Sequence, residues 1–332
     1  MTRLFRCAAL ENLESSPYPS PSPPSTAFFL SLSLKGQGAG RAMSDSGPSK
    51  TVSVAAAAGL AAAGLVIGLA APKAVEKILQ KIKPGGKFSG MNKPSAGARS
   101  VKELDVGTHP IQLYSMATPN GQKVTIALEE MGLKYDAWYT NIMAGDQFTS
   151  GFVKVNPNSK IPALVDTEGP DGKPLHLFET GNILLYLAER SGKFLPKDPG
   201  AKAECLNWLF FNIGEAPYFG QFGHFTRYAP VKLDYAINRY STEVQRALDV
   251  LDKQLEGKSF LCGEEYTIAD MAWLPWVRCL EVFYEAYDTL EMSSYENVAA
   301  WRERVEARPA TSKGLIINSG AEDGAFKEYH ST

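Results

Sequence analysis

The sequence predicts an α/β domain followed by an all-α domain, behind a long N-terminal extension of different composition. Three observations carry this reading. Short strand-like runs alternate with helical ones from Gly107 to Leu195 and then disappear. Within that stretch, Asn156-Pro157-Asn158-Ser159-Lys160-Ile161-Pro162 leads into one short strand, and Leu177-Phe178-Glu179-Thr180-Gly181 ends another in an acidic residue and a helix start. Further on, Thr267-Ile268-Ala269-Asp270 opens a late helix with a reciprocal cap: the Thr267 oxygen accepts from the N–H of residue 270, and the Asp270 carboxylate reaches back to the N–H of residue 267.

Taken in order, residues 1–50 are rich in Ser, Pro and Gly. They cannot bury enough apolar surface to offset the entropy of ordering, and so read as a disordered or targeting segment. Arg3 and Arg6 with few acidic residues fit a transit peptide, and Met43 is a second candidate start. Residues 51–83 contain the uncharged run Val52–Ala71, about the length one membrane-spanning helix needs. Gly64-x-x-x-Gly68 permits close packing in lipid, and Lys73, Lys77, Lys81 and Lys83 give it a basic flank. The competing reading is an Ala-rich targeting segment. Residues 84–106 read as a Gly/Ser/Lys linker.

The α/β domain spans 107–197. Ile111–Tyr114 is a strand, and Thr118-Pro119-Asn120-Gly121 a turn. Val124, Ala127, Leu128 and Met131 recur at helical spacing and stop at Gly132, a natural C′ residue. Tyr135–Ile142 is a strand and Phe148–Val155 a short helix. Ala163–Asp166 and Leu175–Phe178 flank the Gly169-Pro170-Asp171-Gly172 turn as a hairpin, and Thr180–Arg190 is a helix closed by Gly192. The order β-α-β-α-β-β-α is the thioredoxin arrangement. In that setting a cis Ile161–Pro162 bond turns the Ile161 N–H and C=O toward a peptide-shaped ligand. The all-α domain spans 198–320, with helices at Glu204–Gly214, Leu233–Leu255, Ile268–Ala286 and Val298–Arg308; residues 321–332 form a tail. Gly214-Glu215-Ala216-Pro217 breaks the helical pattern. The aromatic stretch that follows, with Tyr218, Phe222 and His224, is expected to line a second-substrate pocket, His224 being able to move a proton near neutral pH.

A length of 332 residues accommodates two ordinary domains. A net charge of −2 gives no global field for nucleic acid. The four cysteines, at 7, 205, 262 and 279, form no Cys-x-x-Cys pair and no zinc spacing, so no metal is expected. They read as reduced thiols in a reducing compartment: cytoplasm, organelle, or a membrane face toward the cytosol.

The thioredoxin-like half, the helical half and the Thr267–Asp270 cap together resemble cytosolic-type glutathione transferases. Thr118-Pro119-Asn120-Gly121-Gln122-Lys123, Gly145-Asp146-Gln147-Phe148, the Asn156–Ala163 stretch and Tyr235-Ala236-Ile237-Asn238-Arg239-Tyr240 resemble the Nu class, the bacterial disulfide-bond oxidoreductases. The match covers residues 107–320. The resemblance implies that Glu179 faces the ammonium of glutathione, and that Thr180 with the helix start faces its γ-glutamyl carboxylate. It further implies that Ile161, before Pro162, pairs with the cysteinyl backbone, that Lys160 and Gln147 serve the glycyl end, and that Arg239 contacts glutathione from the second domain. Thr118 and Asn120 then lie beside the sulfur, where such transferases otherwise place Tyr, Ser or Cys. Tyr114 lies within a strand and reads as packed.

With no cysteine at that position, thiol–disulfide exchange has to use the sulfur of glutathione. The expected activity is a glutathione-dependent disulfide reductase, acting on a small disulfide as a homodimer. Two alternatives stand beside it: a transferase conjugating glutathione to electrophiles, and a membrane-tethered protein that binds glutathione without turnover.

Overall fold

A five-stranded mixed sheet in the order β4-β3-β1-β2-β5 forms the first layer of the protein. The computed structural model describes residues 89–319 and 327–332. Strand β1 (Ile111–Ser115) is buried along its whole length, as a central strand covered on both faces should be. It pairs in parallel with β2 (Tyr135–Tyr139) and antiparallel with β3 (Ala163–Asp166), which pairs antiparallel with β4 (Leu175–Leu177). Leu113 stands opposite both Ala137 and Leu164, and none of the three is exposed.

Helix α1 (Pro119–Met131) crosses from β1 to β2. It starts at the Thr118 N-cap with Pro119 in its first turn, and stops at Gly132 in the left-handed region at φ 68°. A short α2 (Ser150–Val155) precedes β3, and α3 (Thr180–Ser191) follows β4. The helical half comprises α4 (Pro199–Gly223), α5 (Asp234–Leu255), α6 (Ile268–Val282), α7 (Glu296–Glu306) and α8 (Pro309–Ile316). Helix α5 buries Val244, Ala247, Leu248, Leu251 and Leu255, the single stripe its spacing predicts. Helix α6 is buried nearly all round, and the expected capping box is present at its start. Asp270 is fully buried and accepts from Leu261 N–H, Thr267 N–H and Trp301 Nε1–H, each at 2.9 Å.

Three features depart from the sequence expectation. Helix α4 runs unbroken through Gly214 and Pro217, ending in a π-helical turn at His224–Tyr228. Pro217 forfeits only the hydrogen bond to Ile213 C=O, a loss that packing of the flanking turns offsets. The end of the tail adds β5 (Tyr329–His330) antiparallel to β2, fastened by His330 Nδ1 to Asp136 Oδ1 at 2.7 Å. The expected linker is a strap lying along α2: Arg99 N–H donates to Phe148 C=O, Ser150 N–H to Ser100 C=O and Gly151 N–H to Lys102 C=O, at 2.7, 2.9 and 2.9 Å. The close approach requires glycine at 151, where a Cβ would come within 2.7 Å of Leu104 N. Val52–Ala71 lies outside the described residues; among those described, no helix is long and apolar enough to cross a membrane.

Candidate functional site

A cavity of about 520 Å³ lies between the sheet domain and the helical domain, with a smaller hollow of about 210 Å³ adjoining it. Three polypeptide ends point into it: the start of α1, the turn before β3, and the start of α3.

The α1 start presents Thr118 and Asn120. The Thr118 oxygen accepts from Gly121 N–H at 3.3 Å, leaving its O–H to donate elsewhere. Glycine is required at 121, where a Cβ would sit 2.0 Å from Met116 C=O. The Asn120 Oδ1 accepts from Trp276 Nε1–H on α6 at 3.0 Å. An indole N–H can only donate, so the amide oxygen must face it, and the Nδ2 donor is the end left for a ligand. This places two side-chain donors and the first N–H groups of a helix at one spot, an arrangement that favours an anion such as a thiolate.

The turn before β3 contains a cis Ile161–Pro162 bond. Asn156 shapes it from beneath: its Nδ2–H donates to Lys160 C=O at 2.7 Å and its Oδ1 accepts from Asn158 N–H at 2.9 Å. Ile161 lines the large cavity, and its backbone N–H and C=O have no partner among the described residues. Lys160 lines it too, its ammonium held by Asn92 Oδ1 of the strap, and partial burial lowers its pKa. Gln147 is buried at the strap side: its Nε2–H donates to Ile142 C=O at 3.2 Å and Met91 C=O at 3.4 Å, and its Oε1 is unpartnered.

The α3 start presents Glu179 and Thr180. Glu179 takes φ 65°, ψ 117°, an unusual conformation for a residue with a Cβ, and its side chain does not cap the helix. The carboxylate is therefore available to a cationic group, beside helix N–H groups that suit an anion. Together they make a receptor for a zwitterionic amino-acid end.

The helical wall follows one stripe of α4, Ile213, Ala216, Pro217, Gly220 and Gln221, and continues into His224 and Tyr228 of the π-helical turn. His224, expected in a second-substrate pocket, lines this cavity. Tyr218 and Phe222 do not line it, because they fall off that stripe. Tyr218 turns toward Tyr240 of α5, ring centroids 6.3 Å apart, and Phe222 is 1% exposed against Tyr284. Arg239 does not line the cavity either; it pairs with Glu243 one turn along α5 at 2.7 Å. Replacing it by alanine is expected to change glutathione affinity less than about fivefold, as for an exposed ion pair, when titrated by calorimetry; a larger loss would show that Arg239 reaches the ligand.

Trp276 and Lys123 are among the residues of the site that escaped sequence reasoning. Trp276, which orients Asn120, is separated from it by 156 residues. Lys123 is fully buried, and its ammonium donates to Asn212 Oδ1 at 2.6 Å and Thr180 Oγ1 at 3.4 Å. Burial lowers its pKa to about 7, with Glu179 acting in the opposite sense. Tyr114 is buried, its hydroxyl donating to Asp105 C=O at 2.7 Å, and burial raises its pKa, so it offers no hydroxyl to the cavity. Cys205, Cys262 and Cys279 all lie away from the cavity. Among the described residues no cluster of His, Cys, Asp or Glu is suited to a metal ion.

The fold agrees with what comparison with known proteins finds. Residues 117–190 match the glutathione S-transferase N-terminal domain and residues 207–309 the C-terminal domain; the chain belongs to the glutathione S-transferase family. It is 54% identical over 244 residues to the disulfide-bond oxidoreductase YghU of Escherichia coli, covering 70% of this chain and 84% of that protein. A glutathione transferase YghU from Streptococcus pneumoniae, solved in complex with glutathione, is 47% identical with a TM-score of 0.69, covering 72% of this chain and 95% of that one. A glutathione transferase from Pseudomonas putida, solved with one glutathione disulfide per subunit, is 43% identical with a TM-score of 0.61, covering 63% and 92%.

Proposed function

We propose that this protein is a glutathione-dependent disulfide-bond reductase. The observation that carries the reading is a cavity with a thiolate-stabilising corner, Thr118 and Asn120, and, among the described residues, no cysteine lining it. The corner has to serve a sulfur that arrives with the ligand. In this reading glutathione lies with its γ-glutamyl end on Glu179 and Thr180 and its cysteinyl backbone on Ile161. Its glycyl end lies near Lys160 and Gln147.

Hydrogen bonds from Asn120 Nδ2–H, Thr118 Oγ–H and the α1 start lower the thiol pKa from about 8.5 toward neutrality. The thiolate attacks a disulfide, forming a mixed disulfide and releasing one thiolate. A second glutathione thiolate attacks the mixed disulfide, giving glutathione disulfide and the second thiolate. Glutathione serves as cosubstrate.

The full chain assayed with 2-hydroxyethyl disulfide and with an aryl halide tests this. Faster turnover of the halide would overturn it in favour of conjugation, which the apolar wall of Ile213, Ala216 and Pro217 would also accommodate. Binding of glutathione without either activity would mark a binding protein. Glu179→Gln is expected to raise the glutathione Kd about 10- to 100-fold, the worth of one charge-assisted hydrogen bond, with kcat at saturating glutathione little changed. An unchanged Kd by calorimetry would remove Glu179 from the site.

We further read the active form as a homodimer in a reducing compartment, with Val52–Ala71 as a possible membrane tether outside the described residues. Light scattering and fractionation of cells bearing a C-terminal tag test these two points.

A further inference from the structure

Helix α1 carries a single lysine, Lys123, and the fold removes it completely from solvent. An ammonium in that position is costly unless it is neutralised or paired. Lys123 has two neutral partners, Asn212 on α4 and Thr180 on α3, and no ion pair among the described residues. Asn212 keeps its own Nδ2 without a partner, so this polar group is not closed on itself. Glu179, at the start of α3, is the charged group whose field reaches the lysine. From α4 the facing residue is the neutral Asn212. Lys123 also forms part of the floor of the large cavity, beneath Thr180.

The direction of the hydrogen bond fixes what this lysine can do. Thr180 Oγ1 accepts from the Lys123 ammonium, so the Thr180 hydroxyl proton is free to point at the cavity, beside the first N–H groups of α3. A carboxylate docked there would face a polarised hydroxyl with a cation directly behind it. We infer that Lys123 is a positioning residue: the buried counter-charge for the γ-glutamyl carboxylate of glutathione, acting through Thr180, so that this carboxylate binds together with a proton. The inference rests on the glutathione reading above and adds a property that reading does not require.

The sign follows from the two states. Without ligand, burial leaves the Lys123 amine protonated only near and below neutrality. A ligand carboxylate favours the ammonium, so the complex holds more protons than the free protein, and affinity falls as pH rises above 7. Meanwhile the ligand ammonium pairs with Glu179.

The test is calorimetric titration of S-methylglutathione into the full chain, in buffers of differing ionisation enthalpy, from pH 5.5 to 8.5. The blocked sulfur takes the thiol proton out of the balance. Uptake of about half a proton per site is expected at pH 7, rising toward one at pH 8 and vanishing below about pH 6. Lys123→Met and Lys123→Arg are both expected to abolish the uptake, because methionine carries no proton and arginine never releases one. Lys123→Met should also weaken binding on the order of tenfold. His224 supplies the imidazole that lines the cavity, and His224→Gln should leave the uptake intact.

A lysine needed only for packing would lower the melting temperature on substitution and leave the proton balance unchanged. Binding without uptake in the native chain overturns the inference, as does uptake persisting in Lys123→Met or Lys123→Arg. Should Lys123→Met not fold, the native, Lys123→Arg and His224→Gln titrations decide it alone. Absence of any S-methylglutathione binding would be a distinct result, overturning the glutathione reading and this inference with it.

Discussion

Replacing Asp270 by alanine is expected to lower the free energy of unfolding by about 3–5 kcal/mol, the range for removing a charged partner from a closed, buried network. Both oxygens of this carboxylate face donors only: Leu261 N–H and Trp301 Nε1–H meet Oδ1, while Thr267 N–H and Oγ–H meet Oδ2. With the carboxylate gone, those donors remain buried without acceptors, and the α6 cap, the 261 turn and the α7 tryptophan lose their common anchor. Asparagine is expected to recover only part of the loss, since its one carbonyl serves one pair of donors and its amide N–H₂ confronts the other. Urea unfolding of the two variants measures this. A loss below 1 kcal/mol for alanine would show that the cap is peripheral to folding.

The second large effect falls on chemistry. Asn120→Ala is expected to lower kcat/KM for disulfide reduction about 10- to 100-fold, by removing a hydrogen bond to a thiolate. The loss should be greatest below pH 8. A bound thiol stabilised as thiolate in the native protein returns toward about 8.5 without the amide, so activity in the variant rises only at higher pH. Trp276→Phe keeps the packing but lets the amide turn, and should give a smaller loss with a shift in the same direction, about threefold to tenfold. A pH–rate profile for Asn120→Ala that merely drops, with its midpoint unmoved, would exclude thiolate stabilisation by this residue.

Much of the frame was legible because its signals are local. Val124, Ala127, Leu128 and Met131 with Gly132 define α1, and Thr267 with Asp270 defines the entry to α6, each within one or two helical turns. The X-Pro turn and the Glu179-Thr180 corner were legible for the same reason. What escaped depends on contacts between distant segments. The Asn120–Trp276 bond joins two domains. Lys123 sits beside an apolar stripe, where a lysine ordinarily marks the solvent edge, and only the arrival of α3 and α4 buries it. A two-residue strand such as β5 has no period to detect, and Pro217 reads as a helix breaker although α4 tolerates one missing bond. Tyr218 and Phe222 were assigned to the cavity by aromatic character. Their angular position on a continuous α4 sends them elsewhere, a distinction invisible while that helix was read as broken.

The strap has a consequence for how the polypeptide is trimmed. Met91 and Asn92 belong to the cavity wall, Asn92 holds the Lys160 ammonium, and Met91 C=O holds Gln147. A protease cut about a dozen residues beyond residue 89 strips Met91 and Asn92 from the cavity wall while the sheet and helices keep their cores. The part of the chain that the cavity needs thus begins ahead of the first strand, inside a stretch whose composition looks expendable.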